Sequence, residues 1–201
     1  MKREQFSPES VWGNSCEVDS NYSYFLKSGS GKGKSTFSAY IVGLRSDYSG
    51  TILINGQNQK TITLDEWSSL RQNKLAFLAQ DMRLFPNMTL IENLLIKNKL
   101  TNFKTESEIH NLLQQLEMDH KKTQMAGTLS LGQQQRVALI RATLQPFELL
   151  LMDEPFSHID DENIDRALKI ILAECTAQKA GYIMTSLGSN HGIENNKTIL
   201  L

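Results

Sequence analysis

SGSGKGKST, residues 28–36, is the stretch of sequence that decides the fold of this chain. It matches the phosphate-binding pattern G-x-x-x-x-G-K-[ST], except that its first position is a serine. Glycines let successive backbone N–H groups point at phosphate oxygens, and the lysine and hydroxyl at the end of the loop reach the outer phosphates and a magnesium ion. The residues expected to contact a nucleotide are Ser28, Gly29, Ser30, Gly31, Lys32, Gly33, Lys34, Ser35 and Thr36.

The flanks of this loop support the prediction. An apolar strand pattern, residues 22–26, runs into the loop, and a helix is predicted from Lys34 to about Leu44. Such a helix directs its positive end at a bound anion. The alternative is a flexible Gly/Ser linker that happens to contain a lysine.

Two further motifs carry a resemblance to a known family. Residues 129–136 read LSLGQQQR, and residues 149–155 read LLLMDEP. Four apolar residues followed by Asp153 and Glu154 predict a buried central strand that delivers carboxylates to a metal site. Together with the loop, in this order, they resemble the signature L-S-G-G-Q-Q-Q-R and the Walker B segment of ATP-binding cassette (ABC) ATPases. The resemblance runs from about Ser20 to the C-terminus.

Composition bounds the class of protein. The chain has 201 residues, 40% of them hydrophobic, and a net charge of −1, which favours one domain and disfavours nucleic acid as a partner. No apolar run approaches the roughly 20 residues of a membrane span. The charged N-terminus, residues 1–5, is unlike a signal peptide, so we expect a cytoplasmic protein. Cys16 and Cys175 lie far apart and are expected to be buried thiols in a reduced compartment.

Strand and helix patterns indicate an α/β core with parallel strands. Strands are predicted at residues 22–26, 75–80, 149–152, 181–185 and 198–201, a strand with an Asn-Gly turn at 50–56, and helices within 89–144 and around 164–172. The resemblance implies a P-loop NTPase (RecA-like) core, an antiparallel β part and an inserted α-helical subdomain. One ABC domain, residues 1–201, would then divide into a catalytic core (about 1–81 and 145–201) and a helical signature subdomain (about 82–144) that faces a membrane partner.

The resemblance also assigns chemical roles. Phosphoryl transfer to water needs charge neutralisation and a positioned nucleophile. Asp153 and Ser35 would hold Mg²⁺, and Glu154 would orient the attacking water. Gln80, at the end of a predicted strand, would meet Mg²⁺ or water as the family's Q-loop glutamine; a polar strand cap is the plainer interpretation.

The signature would act across a dimer. Ser130, Gln133 and the backbone N–H of Gly132 are predicted to begin a helix, which can bind a phosphate. By resemblance they bind the ATP held by the other subunit of a head-to-tail dimer. Asp160 resembles the aspartate of the family's D-loop, and it is also suited to an N-cap.

Several positions depart from the family pattern. Leu131 replaces a signature glycine, and Ser186 occupies the position of the usual histidine that contacts the γ-phosphate, although His191 could loop back. The adenine-stacking aromatic is either Phe6 or Trp12, and Trp12 is equally suited to the core beneath the sheet. Lys32 either adds charge near the phosphates or points to solvent.

The predicted function is ATP hydrolysis, with Mg²⁺, that powers transport through a separate permease at the inner (cytoplasmic) membrane. Residues 85–93 resemble the corresponding segment of single-cassette importers and of lipoprotein-release or cell-division-type exporters, and do not distinguish between them. The dimer could be homomeric or heteromeric. One alternative is a weakly hydrolysing regulatory subunit, motivated by Ser28, Leu131 and Ser186. A second is a non-transport ABC ATPase, which the absence of long heptad insertions disfavours.

Overall fold

The computed structural model describes residues 10–29, 31–186, 193 and 197–201. Its strands are β1 (Tyr24–Lys27), β2 (Leu53–Ile54), β3 (Gln57–Asn58), β4 (Leu75–Leu78), β5 (Leu149–Asp153), β6 (Gly181–Ser186) and β7 (Lys197–Leu200). Its α-helices are α1 (Lys34–Ile41), α2 (Leu64–Asn73), α3 (Leu90–Asn98), α4 (Glu106–Gln115), α5 (Leu131–Thr143) and α6 (Asp161–Gln178).

Five strands form one parallel sheet in the order β4-β5-β6-β1-β7. The strand β5 is an interior strand, second in this order, and is buried along its whole length, as its apolar run predicts. Its Leu151 pairs with Phe77 of β4 on one side and Ile183 of β6 on the other. Because parallel strands bring their carboxyl ends to one edge of a sheet, this edge gathers the residues that follow β1, β4, β5 and β6. The predicted α/β fold is confirmed.

Apolar clusters cover both faces of the sheet. Alternate residues of a strand point to opposite faces, so Leu150 and Met152 join the cluster formed with α3 to α6, whereas Leu149 and Leu151 join the cluster with Phe37 of α1. Each fully buried leucine contributes about 1.5–3 kcal/mol relative to an exposed one. The helices on both faces therefore fix where the carboxyl ends of the strands lie.

The helical middle of the chain is confirmed, and its helices begin at capping boxes. Thr89 caps α3 with Glu92, and Thr105 caps α4 with Glu108, each threonine accepting from the backbone N–H of its glutamate while that carboxylate accepts from the threonine N–H. The large apolar cluster contains residues of α3, α4 and α5 together with strand residues. The division at residues 82 and 144 therefore stays a prediction.

The structure departs from the sequence predictions in three places. Helix α1 ends at Ile41 rather than near Leu44, because the backbone turns at Gly43 (φ 67°), where the Trp67 ring occupies the space of a side chain. Helix α2 carries no clear apolar stripe and escaped prediction. Cys175 is buried as expected, but Cys16 is exposed.

The predicted Asn-Gly turn is confirmed. It joins the antiparallel strands β2 and β3, with Asn55 at φ 50° and Gly56 at φ 81°, as a two-residue hairpin of this handedness requires. Across the residues described here, no helix is both long and apolar enough to cross a membrane.

Candidate nucleotide-binding site

The phosphate loop follows β1 and turns through two left-handed glycines. Gly31 has φ 74° and Gly33 has φ 95°. Residues other than glycine rarely adopt such backbone angles. Gly33 stands at the N-cap of α1 and supplies no side-chain cap. The first N–H groups of α1 therefore lack the usual capping side chain, and an anion can satisfy them. Ser30 lies outside the described residues, whereas Gly29, Lys32 and Ser35 are exposed.

The Lys34 side chain is buried beneath this loop, with 6% of the residue exposed. Its Nζ lies 3.4 Å from the Ser28 carbonyl oxygen and 3.2 Å from that of Gly29. Glu154 Oε1 lies 3.6 Å away and forms an ion pair with it. A buried ammonium needs such partners, and phosphate oxygens offer it stronger ones.

Two carboxylates stand at the carboxyl end of β5 and face different partners. Asp153 is 3% exposed, and its Oδ1 accepts a hydrogen bond of 2.7 Å from the hydroxyl of Thr185. Glu154 adopts a left-handed conformation (φ 49°), and its N–H donates to the same hydroxyl at 3.0 Å. The Oε2 of Glu154 accepts from Gln80 Nε2 at 3.4 Å. At the end of β5, the Asp153 carboxylate is therefore buried and hydrogen-bonded to Thr185. The Glu154 carboxylate lies between Lys34 and Gln80.

The oxygen atoms of this site suit a magnesium ion that is shared with substrate phosphates, rather than a metal ion held by protein side chains alone. No cluster of three or more His, Cys, Asp or Glu side chains occurs in the described part of the chain. Mg²⁺ is commonly held by one or two carboxylates together with substrate phosphates and water. Asp153 would supply such a carboxylate, and the Ser35 hydroxyl, in the first turn of α1, would supply a further oxygen.

The signature residues start α5, as predicted. Ser130 is its N-cap: its Oγ accepts from the Gln133 N–H at 3.3 Å, while Gln133 Oε1 accepts from the Ser130 N–H at 3.1 Å. Gly132 packs so closely that a Cβ there would lie 2.4 Å from the His158 carbonyl oxygen. Leu131 is 53% exposed. A surface depression surrounds this helix start, and the described phosphate-loop residues do not line it.

Gln135 joins α5 to the segment that follows β5, a role that the sequence does not predict. Its Nε2 donates to the Glu154 carbonyl oxygen at 2.9 Å, and its Oε1 accepts from the His158 N–H at 2.9 Å. The sequence does not predict the role of Thr185 either. The only sequence signal for Gln135 or Thr185 is a polar residue within an otherwise apolar helix or strand. The partner of such a residue depends on the tertiary fold.

Asp160 begins α6 as its N-cap, the plainer of its two interpretations. Its Oδ1 accepts from the N–H and from the side-chain amide of Asn163, both at 3.0 Å. The side-chain hydrogen bond, followed by the backbone one, holds the pKa of Asp160 below its ordinary value. The carboxylate is therefore ionised at neutral pH, and it borders the depression around Ser130.

The aromatic and histidine predictions have mixed outcomes. Trp12 is partly buried and packs against the apolar cluster that contains Phe37 of α1 and Leu149 and Leu151 of β5. Its ring lies edge-on to Phe37 and Tyr40 of α1, at 6.4 and 6.2 Å between centroids. Its indole N–H donates to the Lys32 carbonyl oxygen at 3.4 Å, so it contacts the phosphate loop. Phe6 and His191 lie outside the described residues. Ser186 ends β6, in register with Lys27 at the end of β1.

Comparison with known proteins gives consistent matches. The model of the ABC transporter family matches residues 14–157. The thiamine import ATP-binding protein ThiQ of Escherichia coli is 31% identical over 169 residues, which cover 83% of this chain and 68% of ThiQ. The lipoprotein-releasing system ATP-binding protein LolD of Buchnera aphidicola is 32% identical over 146 residues, covering 71% of this chain and 64% of LolD.

Solved structures agree on the fold. A dimeric structure of the ATP-binding cassette MJ0796, in a post-hydrolysis state bound to ADP and Pi, superposes with a TM-score of 0.80 at 22% identity. The match covers 92% of this chain and 83% of that one. A second dimeric structure of MJ0796, described as a bacterial ABC transporter cassette, gives a TM-score of 0.79 at 23% identity.

The fold and the site together define a nucleotide-hydrolysing P-loop ATPase. The defining features are a parallel sheet, a phosphate loop after β1 and paired carboxylates at the end of β5. The family match and the relatives above 30% identity show which family of P-loop ATPases this is. The chain belongs to the ABC transporter family, in which an ATP-binding subunit hydrolyses ATP to power transport.

Proposed function

We propose that this chain hydrolyses MgATP between two copies arranged head to tail, and so drives a separate permease from the cytoplasmic face of a membrane. One observation carries the proposal: Lys34, Gln80 and Glu154, distant in sequence, converge at the carboxyl edge of the sheet. In this cluster, Lys34 supplies a cation that can bind phosphate. Gln80 and Glu154 supply an amide and a carboxylate that can position a water molecule, as hydrolysis requires.

Each residue then has a defined task. The amides of residues 29–33 and the start of α1 cradle the phosphates, and Lys34 exchanges its loop carbonyls for phosphate oxygens. Ser35 and Asp153 hold Mg²⁺, which neutralises charge on the phosphates when it is bound. Glu154 accepts hydrogen bonds from the attacking water, and Gln80 helps to orient it.

A second copy completes each site. The start of α5, with Ser130, Gly132 and Gln133, presents backbone N–H groups and a hydroxyl at a depression that the described residues of its own phosphate loop do not line. A helix start of this kind suits the γ-phosphate held by the facing chain. Asp160 borders the same depression and would lie in the interface. MJ0796, which has the same fold, is dimeric in both solved structures.

The weakly hydrolysing regulatory subunit remains the second candidate. Leu131 protrudes where the facing chain would approach, and Ser186 cannot carry the positive charge of a histidine. Loss of one γ-phosphate contact costs on the order of 10²-fold in rate. The intact set of Lys34, Asp153 and Glu154 favours the active ATPase.

The test is MgATP hydrolysis by the purified chain over a range of protein concentrations, beside Glu154→Gln. We expect a rate that rises faster than linearly with concentration, because two chains build each site. The substitution should lower the rate on the order of 10²-fold or more and trap an ATP-bound dimer of twice the 22.7 kDa chain mass.

Glu148→Gln is the matched control, since this exposed glutamate precedes the same strand and pairs with Lys74 at the surface. It should hydrolyse ATP as the parent does. A rate linear in protein concentration would contradict the composite site. Tight ATP binding without turnover at any concentration would favour the regulatory candidate.

A further inference from the structure

His158 lines the depression that surrounds the start of α5, together with the signature residues Ser130, Gly132 and Gln133. Its side chain is exposed. The hydrolysis mechanism proposed above assigns it no task. A histidine at this place bears on that mechanism because Ser186 occupies the position at which the family usually has a histidine against the γ-phosphate.

The backbone of His158 is fixed to the signature helix on both sides of its peptide. Its N–H donates to Gln135 Oε1 at 2.9 Å, and its carbonyl oxygen packs against Gly132 so closely that a Cβ there would overlap it. The amide of the same Gln135 donates to the Glu154 carbonyl oxygen at 2.9 Å. The position of His158 beside Ser130 is therefore set by contacts with α5.

The surrounding hydrogen bonds determine which ring nitrogen of His158 carries the proton. The amide of Gln135 has only one possible orientation, because its oxygen faces a backbone N–H and its nitrogen faces a carbonyl oxygen. That nitrogen also donates to Ser157 Oγ at 3.2 Å. The Ser157 hydroxyl then has its own proton to donate, and its acceptor among the described residues is His158 Nδ1 at 2.9 Å. The neutral ring therefore carries its proton on Nε2.

This Nε2–H is available to a ligand. It has no hydrogen-bond partner among the residues that the structure describes, and it is a donor whether the ring is neutral or protonated. The other charged groups of the depression are already engaged. Arg136 donates to a backbone carbonyl oxygen at 3.0 Å and to Asn163 Oδ1 at 2.9 Å, while Asp160 accepts from Asn163.

We propose that His158 donates its Nε2–H to the γ-phosphate of the ATP held by the facing chain. Each copy thereby supplies its partner with a histidine contact that Ser186 cannot make. The inference rests on the proposed function, in which the start of α5 meets that same phosphate. A donor placed where charge develops in the transition state acts mainly on kcat, and loss of one such donor costs about 10²–10³-fold.

The first measurement is steady-state MgATP hydrolysis by His158→Ala. We expect kcat to fall about 10²-fold, with the KM for ATP little changed, because the phosphate loop of the same chain still holds the nucleotide. His120→Ala is the matched control, since His120 is an exposed histidine that does not line the depression. It should hydrolyse ATP as the parent does. An unchanged kcat in His158→Ala would overturn the inference.

Ser186→His in the His158→Ala background separates a phosphate contact from a purely structural role. Ser186 ends β6 directly after Thr185, whose carbonyl oxygen accepts from the Glu154 N–H at 3.2 Å. A histidine there would approach the same phosphate from the chain that holds the ATP. We expect kcat to recover by about tenfold or more. A loss that this second change does not relieve would contradict a phosphate contact.

Mixing two inactive variants tests whether His158 acts across the dimer. Lys34→Ala lacks the cation of its own phosphate loop but keeps His158, whereas His158→Ala keeps the loop. A hybrid dimer contains one site with an intact loop from one copy and an intact histidine from the other. Because half of the dimers in an equal mixture are hybrids, we expect a rate about tenfold or more above the sum of the two variants alone.

Ser130→Ala mixed with Lys34→Ala is the reference pair, because the proposed function places Ser130 across the same interface. We expect this pair to recover activity as well. Recovery with Ser130→Ala but not with His158→Ala would overturn the inference alone. Recovery with neither pair would count against the composite site, and so against the proposed function together with the inference that rests on it.

Discussion

At the scale of single residues, Thr185 links the Asp153 carboxylate to the backbone of Glu154. Its hydroxyl donates to Asp153 Oδ1 and accepts from the Glu154 N–H, and the residue is fully buried. One hydroxyl therefore fixes the orientation of Asp153 and the turn at which Glu154 leaves the strand. Residues that hold a metal ligand in this way commonly set metal affinity.

Thr185→Val removes this hydroxyl at nearly constant volume. Because we propose that Asp153 holds Mg²⁺, we expect the Mg²⁺ concentration for half-maximal hydrolysis to rise roughly tenfold. Thr185→Ser keeps the hydroxyl and should resemble the parent. The measurement is a Mg²⁺ titration of ATP hydrolysis at fixed nucleotide. A lower maximal rate with an unchanged Mg²⁺ requirement would contradict a role in metal binding.

The sequence predicts Asp153, Glu154 and Lys34 because each belongs to a local pattern whose chemistry is readable along the chain. It does not predict Thr185 or Gln135, because their partners are set by the order of strands and by the packing of α5. Pairing of β5 with β6 aligns Asp153 with Thr185, 32 residues later. Nothing local distinguishes that threonine from any other at the end of an apolar strand.

At the scale of elements, capping boxes stand at the starts of helices α2 to α5. In α3, Glu92 Oε2 accepts from both the hydroxyl and the backbone N–H of Thr89, each at 2.7 Å. These two hydrogen bonds, the side-chain one first, hold the pKa of Glu92 below its ordinary value. A carboxyl whose pKa is lower in the folded chain stabilises the fold above its unfolded pKa of about 4.3.

Glu92→Ala should therefore lower the free energy of unfolding at pH 7. The difference from the parent should narrow as pH falls from about 5 through the lowered folded pKa, where the parent carboxylate also becomes protonated. Urea unfolding from pH 7 to pH 2 measures this. Glu106→Ala is the control, since Glu106 lies in the first turn of α4 with no hydrogen-bond partner among the described residues. A difference that stays constant with pH would contradict the assignment.

Elements with a clear pattern were predicted, and α2 shows why others were not. Only Trp67 of its ten residues is buried, so it lacks the apolar periodicity that marks α4 or α6. Its capping box, Thr63 with Glu66, can be read from the sequence. Such a pattern of two residues is too common to predict a helix by itself. The early end of α1 depends on contact between Gly43 and Trp67, which only the folded chain brings together.

At the scale of the whole molecule, an ion pair links the helical segment to α6, the helix that follows β5 along the chain. Lys104, just before α4, lies 2.7 Å from Glu174 of α6, and both side chains are only about a tenth exposed (13% and 11%). The more exposed Glu108 lies 3.9 Å from the same ammonium. Removal of one partner leaves the other charge largely buried.

Lys104→Met and Glu174→Leu should each lower the free energy of unfolding by about 3 kcal/mol, whereas the double variant should lose much less than the sum. A double-mutant cycle by urea unfolding measures the coupling between them. Lys121→Met, near the surface and without an ion pair among the described residues, is the control for loss of a lysine. Strictly additive losses would show that the pair does not join these elements.

The position of Trp12 has a practical consequence. The chain contains only two tryptophans, and the other, Trp67, is buried on the far side of Gly43. The indole of Trp12 lies against Gly33 and donates to the Lys32 carbonyl oxygen. A Trp67→Phe chain therefore carries one tryptophan, in contact with the loop that we propose binds the nucleotide, so its emission should time the arrival and departure of ATP without any attached dye.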